Sequence, residues 1–149
     1  MNAVFVRQAV LADIDALAPI FDSYRQFYGR PTDLNAAREF LLTRFTNTES
    51  VLFIAYEAGA AIGFAQLYPS FSSVSLARIY ILNDIFVRQQ SRRKGAANIL
   101  LKAAVDYGKA SGAVRLTLST AITNESAQAL YETAGWKRDQ KFFVYHYNV

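Results

Sequence analysis

The 149-residue sequence contains no cysteine and a single histidine, His146. Without cysteine the chain cannot form disulfides, bind a metal through thiolates or use a cysteine nucleophile. One histidine cannot build a polyhistidine metal site and gives little support for a serine or cysteine triad. We therefore expect no metal and no acyl-enzyme intermediate.

Long hydrophobic runs are also missing, since none approaches the roughly 18 residues that a membrane span requires. Arg7 and Asp13 interrupt the N-terminal stretch in which a secretory signal needs its apolar segment. Hydrophobic residues nevertheless make up 52% of the chain and charged residues 19%, which excludes a disordered chain. We expect a soluble, cytoplasmic protein whose residues 1–149 form one domain, with no membrane partner.

Acidic side chains are absent from residues 87–101, which hold four basic ones, Arg88, Arg92, Arg93 and Lys94. The twelve other basic residues balance the twelve acidic ones, so the formal net charge of +4 is concentrated in this segment. Four clustered charges make a small footprint for nucleic acid, and no nucleic-acid motif accompanies them. We therefore expect no nucleic-acid partner.

The same segment has the order of a strand end, a basic turn with Gly95, and the start of an apolar-periodic helix. The first amides of a helix have no intrahelical partner, and the helix dipole adds positive charge there, so anions bind readily. Gly95 lets the backbone approach a ligand closely. The pattern predicts a phosphate site, and the alternative is a solvated basic turn before an ordinary helix.

The remaining elements follow from hydrophobic periodicity and from capping and turn residues. In order, they are a strand at Val4–Arg7, a helix capped by Asp13 and kinked at Pro19, a second helix opened by Thr32 or Asp33, strands at Val51–Tyr56, Ile62–Tyr68 and Leu76–Val87, a helix from about Arg93 to Ala110, a strand at Val114–Ser119, a helix from Asn124 through Ala134, and a last strand near Phe142–Tyr147. The early strands predict an antiparallel meander with a hairpin at Gly59. The strand–helix–strand order predicts a parallel pair at the basic turn.

Two segments together resemble one family. Arg92-Arg93-Lys94-Gly95-Ala96-Ala97 fits the (Gln/Arg)-x-x-Gly-x-(Gly/Ala) signature of the GNAT superfamily of N-acetyltransferases, and Asn124…Ala127…Leu130-Tyr131-Glu132…Gly135-Trp136 resembles the motif that follows it. The resemblance covers essentially the whole chain. It implies an α+β fold, an α/β/α sandwich with a mixed, mostly antiparallel sheet whose parallel pair splays at the coenzyme site. It also implies direct transfer of an acetyl group from acetyl-CoA to a primary amine in a ternary complex.

The resemblance assigns the coenzyme-binding residues. The pyrophosphate would be held by backbone amides of Arg92, Arg93, Lys94, Gly95, Ala96 and Ala97. The splay would free strand amides for the pantetheine arm and the thioester carbonyl, and we expect these donors at Ile85, Phe86 or Val87. Asn124 matches a position that often contacts the coenzyme, although it is also expected to be a helix N-cap.

Tyr131 aligns with the tyrosine that, in many members of the family, donates a proton or hydrogen bond to the departing thiolate. A phenol with a pKa of about 10 transfers its proton uphill to a thiolate whose acid has a pKa of about 8.5. Hydrogen bonding in the transition state is therefore the expected role. The alternative is that Tyr131 only packs beside Leu130 on its helix.

An amine acceptor is largely protonated at neutral pH, so a proton must be removed before attack. The segment Ile81–Val87 resembles the matching strand of the spermidine/spermine acetyltransferases, where a glutamate commonly precedes the aspartate, but here that position is Asn83. Asp84 could act as the base directly or through water, with Asn83, Tyr80 or Ser119 supporting a water chain. Strand alternation separates Asn83 from Asp84 unless a bulge intervenes. Asp84 could instead organise backbone amides.

The acceptor site is expected where aromatic residues crowd the first helix end and a strand connection. The candidate acceptor-binding residues are Tyr24, Tyr28, Arg30, Tyr68 and Phe71. Arg30 hints at an acceptor with a carboxylate, whereas the aromatic residues could equally belong to the core.

Two further features of the sequence, Asn83 and the aromatic C-terminal segment, each allow more than one interpretation. Asn83 in place of a glutamate permits an alternative function, a catalytically inactive CoA-binding or acyl-CoA-binding sensor. The aromatic C-terminal segment permits a homodimer, although a buried strand in a monomer would explain the same pattern.

Overall fold

The computed structural model describes residues 3–149, and its contacts group the chain into two compact units, Met1–Ser119 and Thr120–Val149. The first unit contains a five-stranded sheet in the order β1-β2-β3-β4-β5. Its elements are β1 (Val4–Gln8), α1 (Ile14–Phe27), α2 (Leu34–Thr46), β2 (Val51–Glu57), β3 (Ala60–Ser72), β4 (Ala77–Val87), α3 (Ala96–Ala110) and β5 (Leu116–Thr117). Neighbouring strands are antiparallel except β4 and β5, which are parallel. The predicted meander and parallel pair are confirmed.

Helices cover both faces of this sheet. One core cluster joins β2 and β3 to the first two helices through Leu17, Ile20, Leu41, Leu52, Ile54 and Phe64. Phe53 lies between Leu52 and Ile54 on β2. Its ring makes an edge-to-face contact with Tyr107 of α3, with ring centroids 5.9 Å apart. Because successive strand residues point to opposite faces, α3 lies on the face opposite α1 and α2.

Several local predictions are confirmed by the geometry. Asp33 is the N-cap of α2, and its Oδ1 accepts a hydrogen bond from the Ala36 amide at 3.0 Å. Ala58 and Gly59 both have positive φ, which is the geometry of a tight hairpin turn between β2 and β3.

The first helix runs unbroken through Pro19, the sixth of its 14 residues, and the kink expected there stays a prediction. Two other details of the helices differ from the prediction. Asp13 occupies the N-cap position of α1, but its side chain makes no capping bond to that helix because Arg7 and the Val10 amide use it. The third helix begins at Ala96, so the basic residues before it lie in a turn.

Asp13 holds β1 against the start of α1. The Arg7 guanidinium donates to both carboxylate oxygens at 2.7 and 2.8 Å, and the Val10 amide and Tyr56 hydroxyl donate at 2.7 and 3.2 Å. These contacts, the Arg7 hydrogen bonds first, lower the pKa of the buried Asp13 carboxyl from 3.8 to about 2.

Asp13→Asn is expected to lower the free energy of unfolding by about 1–2 kcal/mol at neutral pH. This range allows for solvent screening of the ion pair, because the Arg7 side chain is half-exposed. The folded-state pKa is depressed, so the contribution is complete above the unfolded value and is lost as the pH falls through about 2. Urea unfolding across this range should show the difference between wild type and variant shrinking toward low pH. A constant difference would contradict the assignment.

The second unit contains one helix, α4 (Glu125–Thr133). Asn124 caps it as predicted, with its Oδ1 accepting from the Ala127 amide at 3.2 Å. Gly135 has φ +96° after the helix end, and the Trp136 amide donates back to the Tyr131 carbonyl at 2.9 Å. This is the hydrogen bond of a Schellman motif, which explains the glycine at that position.

The prediction of a last strand near Phe142–Tyr147 is wrong, since the described chain has no strand there. Phe142, Phe143, Tyr145 and Tyr147 are all strongly exposed. Aromatic residues favour strands only where a neighbouring strand pairs with them and their side chains pack. The predicted strand Val114–Ser119 is also shorter, limited to the two residues of β5.

Candidate active site

A β-bulge in β4 determines where the Asp84 carboxylate lies. Gln66 of β3 pairs with Asp84 and Leu67 pairs with Leu82, so Asn83 is the extra residue. Tyr80 stacks against Tyr107 of α3 at 5.5 Å, whereas Asp84 lies near Tyr24 of α1. Without a bulge, residues four apart on a strand would face the same side. The extra residue therefore turns Asp84 to the α1 face.

The Asp84 carboxylate is buried, 5% exposed, and is held by amide donors. Gln66 Nε2 donates to Oδ2 at 2.8 Å, and Asn83 Nδ2 donates to Oδ1 at 3.0 Å. Burial raises the pKa of Asp84 above its ordinary value, and hydrogen bonds from Gln66, Tyr24 and Asn83 partly oppose this. A carboxylate whose pKa is raised by burial is a stronger base than an ordinary aspartate.

Gln66 is a site residue that the sequence analysis missed. Its side chain is fully buried, and its Oε1 has no hydrogen-bond partner among residues 3–149. The signal was a lone amide inside the otherwise apolar run of β3, directly opposite the only carboxylate of β4. A buried polar side chain needs a partner, and here that partner is Asp84.

Tyr24, a residue of α1, lies beside the Asp84 carboxylate. Its hydroxyl makes a long hydrogen bond, 3.5 Å, to the Asn83 carbonyl. Burial, followed by the charge of Asp84, raises the pKa of Tyr24 well above its usual range. The hydroxyl therefore remains protonated and serves as a hydrogen-bond donor beside Asp84.

Five rings form an aromatic cluster beside Asp84: Tyr24, Phe27, Tyr28, Phe64 and Phe86. Tyr24 lies 5.1 Å from Tyr28, 5.6 Å from Phe64 and 5.8 Å from Phe86, measured between ring centroids. Phe27 adds contacts at 5.3 Å to Tyr28 and 6.1 Å to Phe86. Phe27 and Tyr28 are more than half exposed, so one side of the cluster is open to solvent.

The other predicted acceptor residues lie at different distances from this cluster. Tyr68 lies close enough to Asp84 for that charge, after burial, to raise the pKa of its hydroxyl. Phe71 pairs with Arg78, and its ring lies 4.4 Å from that guanidinium. It stands five residues beyond Gln66 along β3, about 16 Å away at the usual strand rise. Arg30 is exposed.

The basic turn presents unpaired backbone amides. Arg93 and Gly95 have φ values of +67° and +82°, and left-handed residues in such turns orient amides into anion-binding concavities. Among residues 3–149, nothing accepts a hydrogen bond from the amides of residues 93–98, and the first bonded amide is that of Ile99, to Gly95 O at 3.1 Å. These donors include five of the six predicted amides, those of Arg93, Lys94, Gly95, Ala96 and Ala97. The sixth, the Arg92 amide, is not free, because it donates to the Gln89 carbonyl at 3.3 Å. The arrangement fits a phosphate ligand.

Two basic side chains of the turn are engaged with the protein. Arg92 Nε donates to the Val87 carbonyl at 2.8 Å, and Lys94 Nζ pairs with Glu57 Oε1 at 2.9 Å. Glu57 therefore offsets part of the charge that the sequence concentrates here. The donors that this turn leaves open to a ligand are therefore chiefly its backbone amides.

The parallel pairing of β4 with β5 stops before the C-terminal half of β4. Only Tyr80 and Ile81 pair with Leu116 and Thr117. Beyond them, the described residues give β4 no strand partner on that side, and this open edge includes the predicted donors Ile85, Phe86 and Val87. It leads directly into the turn, so Asp84, the open edge and the free amides follow one another along the chain.

Asn124 and Tyr131 belong to the second unit. The Asn124 side chain serves as the helix cap, and the Tyr131 ring lies 6.5 Å from that of Trp136. Their proposed contacts with the coenzyme remain predictions based on the motif resemblance.

A model of the acetyltransferase (GNAT) family matches residues 15–136. The chain belongs to the GNAT family. An uncharacterized N-acetyltransferase of Bacillus subtilis strain 168, YhfO, is 51% identical over 144 residues, with 97% of each chain covered. The crystal structure of a probable acetyltransferase matches with a TM-score of 0.93 at 42% identity, again over 97% of both chains. The predicted α+β GNAT fold is confirmed, and the chain is an acyltransferase enzyme.

Members of the GNAT family use acetyl-CoA as co-substrate. A solved aminoglycoside N-acetyltransferase in complex with CoA has the same fold, with a TM-score of 0.77 at 22% identity over all of this chain and 97% of that one. Within residues 3–149, no helix is long and apolar enough to cross a bilayer. No three histidine, cysteine or acidic side chains in that range gather as a metal site would require.

Proposed function

We propose that this GNAT enzyme transfers the acetyl group of acetyl-CoA directly to a primary amine within a ternary complex. The observation that carries the proposal is the arrangement of β4. Its bulge holds a buried carboxylate with a raised pKa, and its C-terminal end leads into a turn with unpaired amides. One strand thus connects a proton acceptor with an anion-binding site.

The turn would hold the coenzyme pyrophosphate through the backbone amides of residues 93–98. Several amides directed at one anion form charge-assisted hydrogen bonds, and the N-terminus of α3 adds its dipole. When bound, acetyl-CoA supplies the activated acetyl thioester. The open edge of β4 at residues 85–87 would orient the pantetheine arm and polarise the thioester carbonyl.

Asp84 would take the proton that a primary ammonium must lose. Its 5% exposure favours transfer through a water, with Asn83 and the Tyr24 hydroxyl beside the path. The free amine then attacks the carbonyl carbon, so that a C–N bond forms and the C–S bond breaks. One of the two protons then left on nitrogen leaves to solvent, the other stays as the amide N–H, and the sulfur departs as a thiolate.

Tyr131 is proposed to stabilise that thiolate by hydrogen bonding, on the basis of its motif. Full proton transfer from an ordinary phenol to an ordinary thiolate is uphill by about 1.5 pKa units, or about 2 kcal/mol. A hydrogen bond that strengthens as charge develops on sulfur avoids this cost.

Tyr131→Phe is expected to lower kcat by about 10- to 100-fold, the range for losing a hydrogen bond to a charged group, with the affinity for CoA unchanged. Tyr145→Phe, an exposed tyrosine of the same unit, is the matched control and should retain wild-type kinetics. Equal kcat values for Tyr131→Phe and wild type would remove Tyr131 from the mechanism.

The binding half of the proposal is tested by calorimetric titration with CoA and with pantetheine, which lacks the pyrophosphate and nucleotide. We expect CoA to bind at least about tenfold more tightly, since one charge-assisted hydrogen bond contributes about 1.5–3 kcal/mol. The CoA affinity should also fall with added salt. Equal affinities for the two ligands would contradict a phosphate site at the turn.

A further inference from the structure

The Arg92 side chain is directed toward the aromatic cluster beside Asp84. Its Nε donates to the Val87 carbonyl at 2.8 Å, which fixes the guanidinium at the end of β4. The guanidinium carbon lies 5.7 Å from the Phe27 ring centroid and 5.4 Å from that of Phe86. Both distances are within the range of cation–π attraction. A residue of the basic turn is therefore anchored on the aromatic cluster.

Lysine could not make this arrangement. A guanidinium is planar, stacks on rings and can donate from Nε while its other nitrogens contact different groups, whereas an ammonium is a compact point charge. The position thus uses properties of arginine beyond its charge.

A continuous set of contacts leads from Arg92 to the buried carboxylate. Phe86 lies 5.8 Å from Tyr24, and Phe27 lies 5.3 Å from Tyr28. The Tyr24 hydroxyl in turn donates to the carbonyl of Asn83, the bulge residue, and hydrogen bonding from this hydroxyl lowers the pKa of the Asp84 carboxyl. Phe27 and Tyr28 lie at the C-terminal end of α1, and both are 58% exposed.

We propose that Arg92 is a positioning residue that couples occupancy of the coenzyme turn to the order of the acceptor-side aromatic cluster. The inference rests on the proposed binding of CoA at the turn. Ligand bonded to the amides of residues 93–98 restricts the turn, and the Arg92 side chain carries this restriction to Phe27 and Phe86. The acceptor side is then best ordered when the coenzyme is already bound.

Amide hydrogen exchange measured with and without CoA tests this coupling. In wild type, CoA should slow exchange in residues 93–98 and also, by about two- to fivefold, in residues 24–30, on the scale of an exposed cation–π contact. Arg92→Lys should keep the protection of the turn and lose that of residues 24–30. Only the CoA-dependent change is scored, because a merely structural defect would alter exchange equally in both states.

Arg93→Lys is the matched control, since it makes the same chemical change at the next residue, whose side chain makes no aromatic contact among residues 3–149. It should keep the CoA-dependent protection of residues 24–30. The inference would be overturned if CoA slowed exchange in residues 24–30 of Arg92→Lys as much as it does in wild type. It would also be overturned if CoA left exchange in those residues of wild type unchanged. Absence of protection at residues 93–98 in wild type would instead refute CoA binding at the turn.

Discussion

Asp84→Asn is expected to lower kcat/KM for the amine by about 10²- to 10⁴-fold while leaving the affinity for CoA unchanged, because the variant has no group to accept the ammonium proton. The replacement preserves the shape of the side chain. It also keeps one hydrogen bond between the two side chains, since the Gln66 amide can turn its unpartnered Oε1 toward the new Nδ2. Steady-state kinetics and a CoA titration on the same preparations give both quantities.

Stability should move in the opposite direction from activity in this variant. Burial raises the pKa of Asp84 in the folded state, so the folded protein binds the proton more tightly than the unfolded chain. Stability contributed by this group is therefore lost as the pH rises through its folded pKa, and at neutral pH the carboxylate is a cost. We expect Asp84→Asn to melt at the wild-type temperature or above it. Loss of activity accompanied by a large fall in melting temperature would indicate a structural role instead.

The pH dependence provides an independent check. Asp84 must be ionised to act as a base, so wild-type kcat/KM should fall as the pH is lowered. The midpoint of this acid limb should lie at a higher pH than that of an ordinary aspartate. That limb should be missing in Asp84→Asn. Asp13→Asn replaces another buried carboxylate outside the site and should retain the wild-type limb, despite its lower stability.

Gly95→Val is expected to weaken CoA binding by about 10- to 100-fold. Gly95 has φ +82°, a conformation that a β-branched residue strongly disfavours, so the turn must rearrange and redirect the amides of residues 93–98. Losing one such charge-assisted hydrogen bond accounts for a change of this size. Calorimetry with CoA measures it.

Gly112→Val is the matched control for Gly95→Val. Gly112 also has a left-handed φ, +75°, and open space around it, but it lies beyond the C-terminal end of α3, whereas Gly95 precedes its first turn. Both variants should be less stable, and only Gly95→Val should bind CoA poorly. Equal losses of affinity would mean that general destabilisation, and not the turn, is responsible.

Local sequence signals predicted those parts of the fold that depend on near neighbours. The hairpin glycine Gly59 and the helix caps at Asp33 and Asn124 all act within a few residues of themselves. Pairing between strands that are distant in the sequence was harder to predict. The predicted strand at Phe142–Tyr147 had suitable residues, but a strand exists only if another strand pairs with it, and no local signal specifies that partner.

The candidate site divides in the same way. The turn at residues 92–97 was visible because its glycine, its charges and the following helix are contiguous. The environment of Asp84 was not, because it depends on a bulge at Asn83 and on Gln66, eighteen residues earlier in the chain. Arg92 was predicted to bind phosphate from the basic cluster and the motif resemblance, whereas its side-chain contacts to Val87, Phe27 and Phe86 depend on the three-dimensional structure.

Amine-dependent thiol release from acetyl-CoA tests the central claim most directly. A broad panel of primary amines would be assayed, with each product identified by mass spectrometry. At least one amine should release thiol and form its N-acetyl derivative in equal amounts, at a rate that collapses in Asp84→Asn. Tight CoA binding with no thiol release above background for any amine would contradict it and favour a non-catalytic CoA-binding protein.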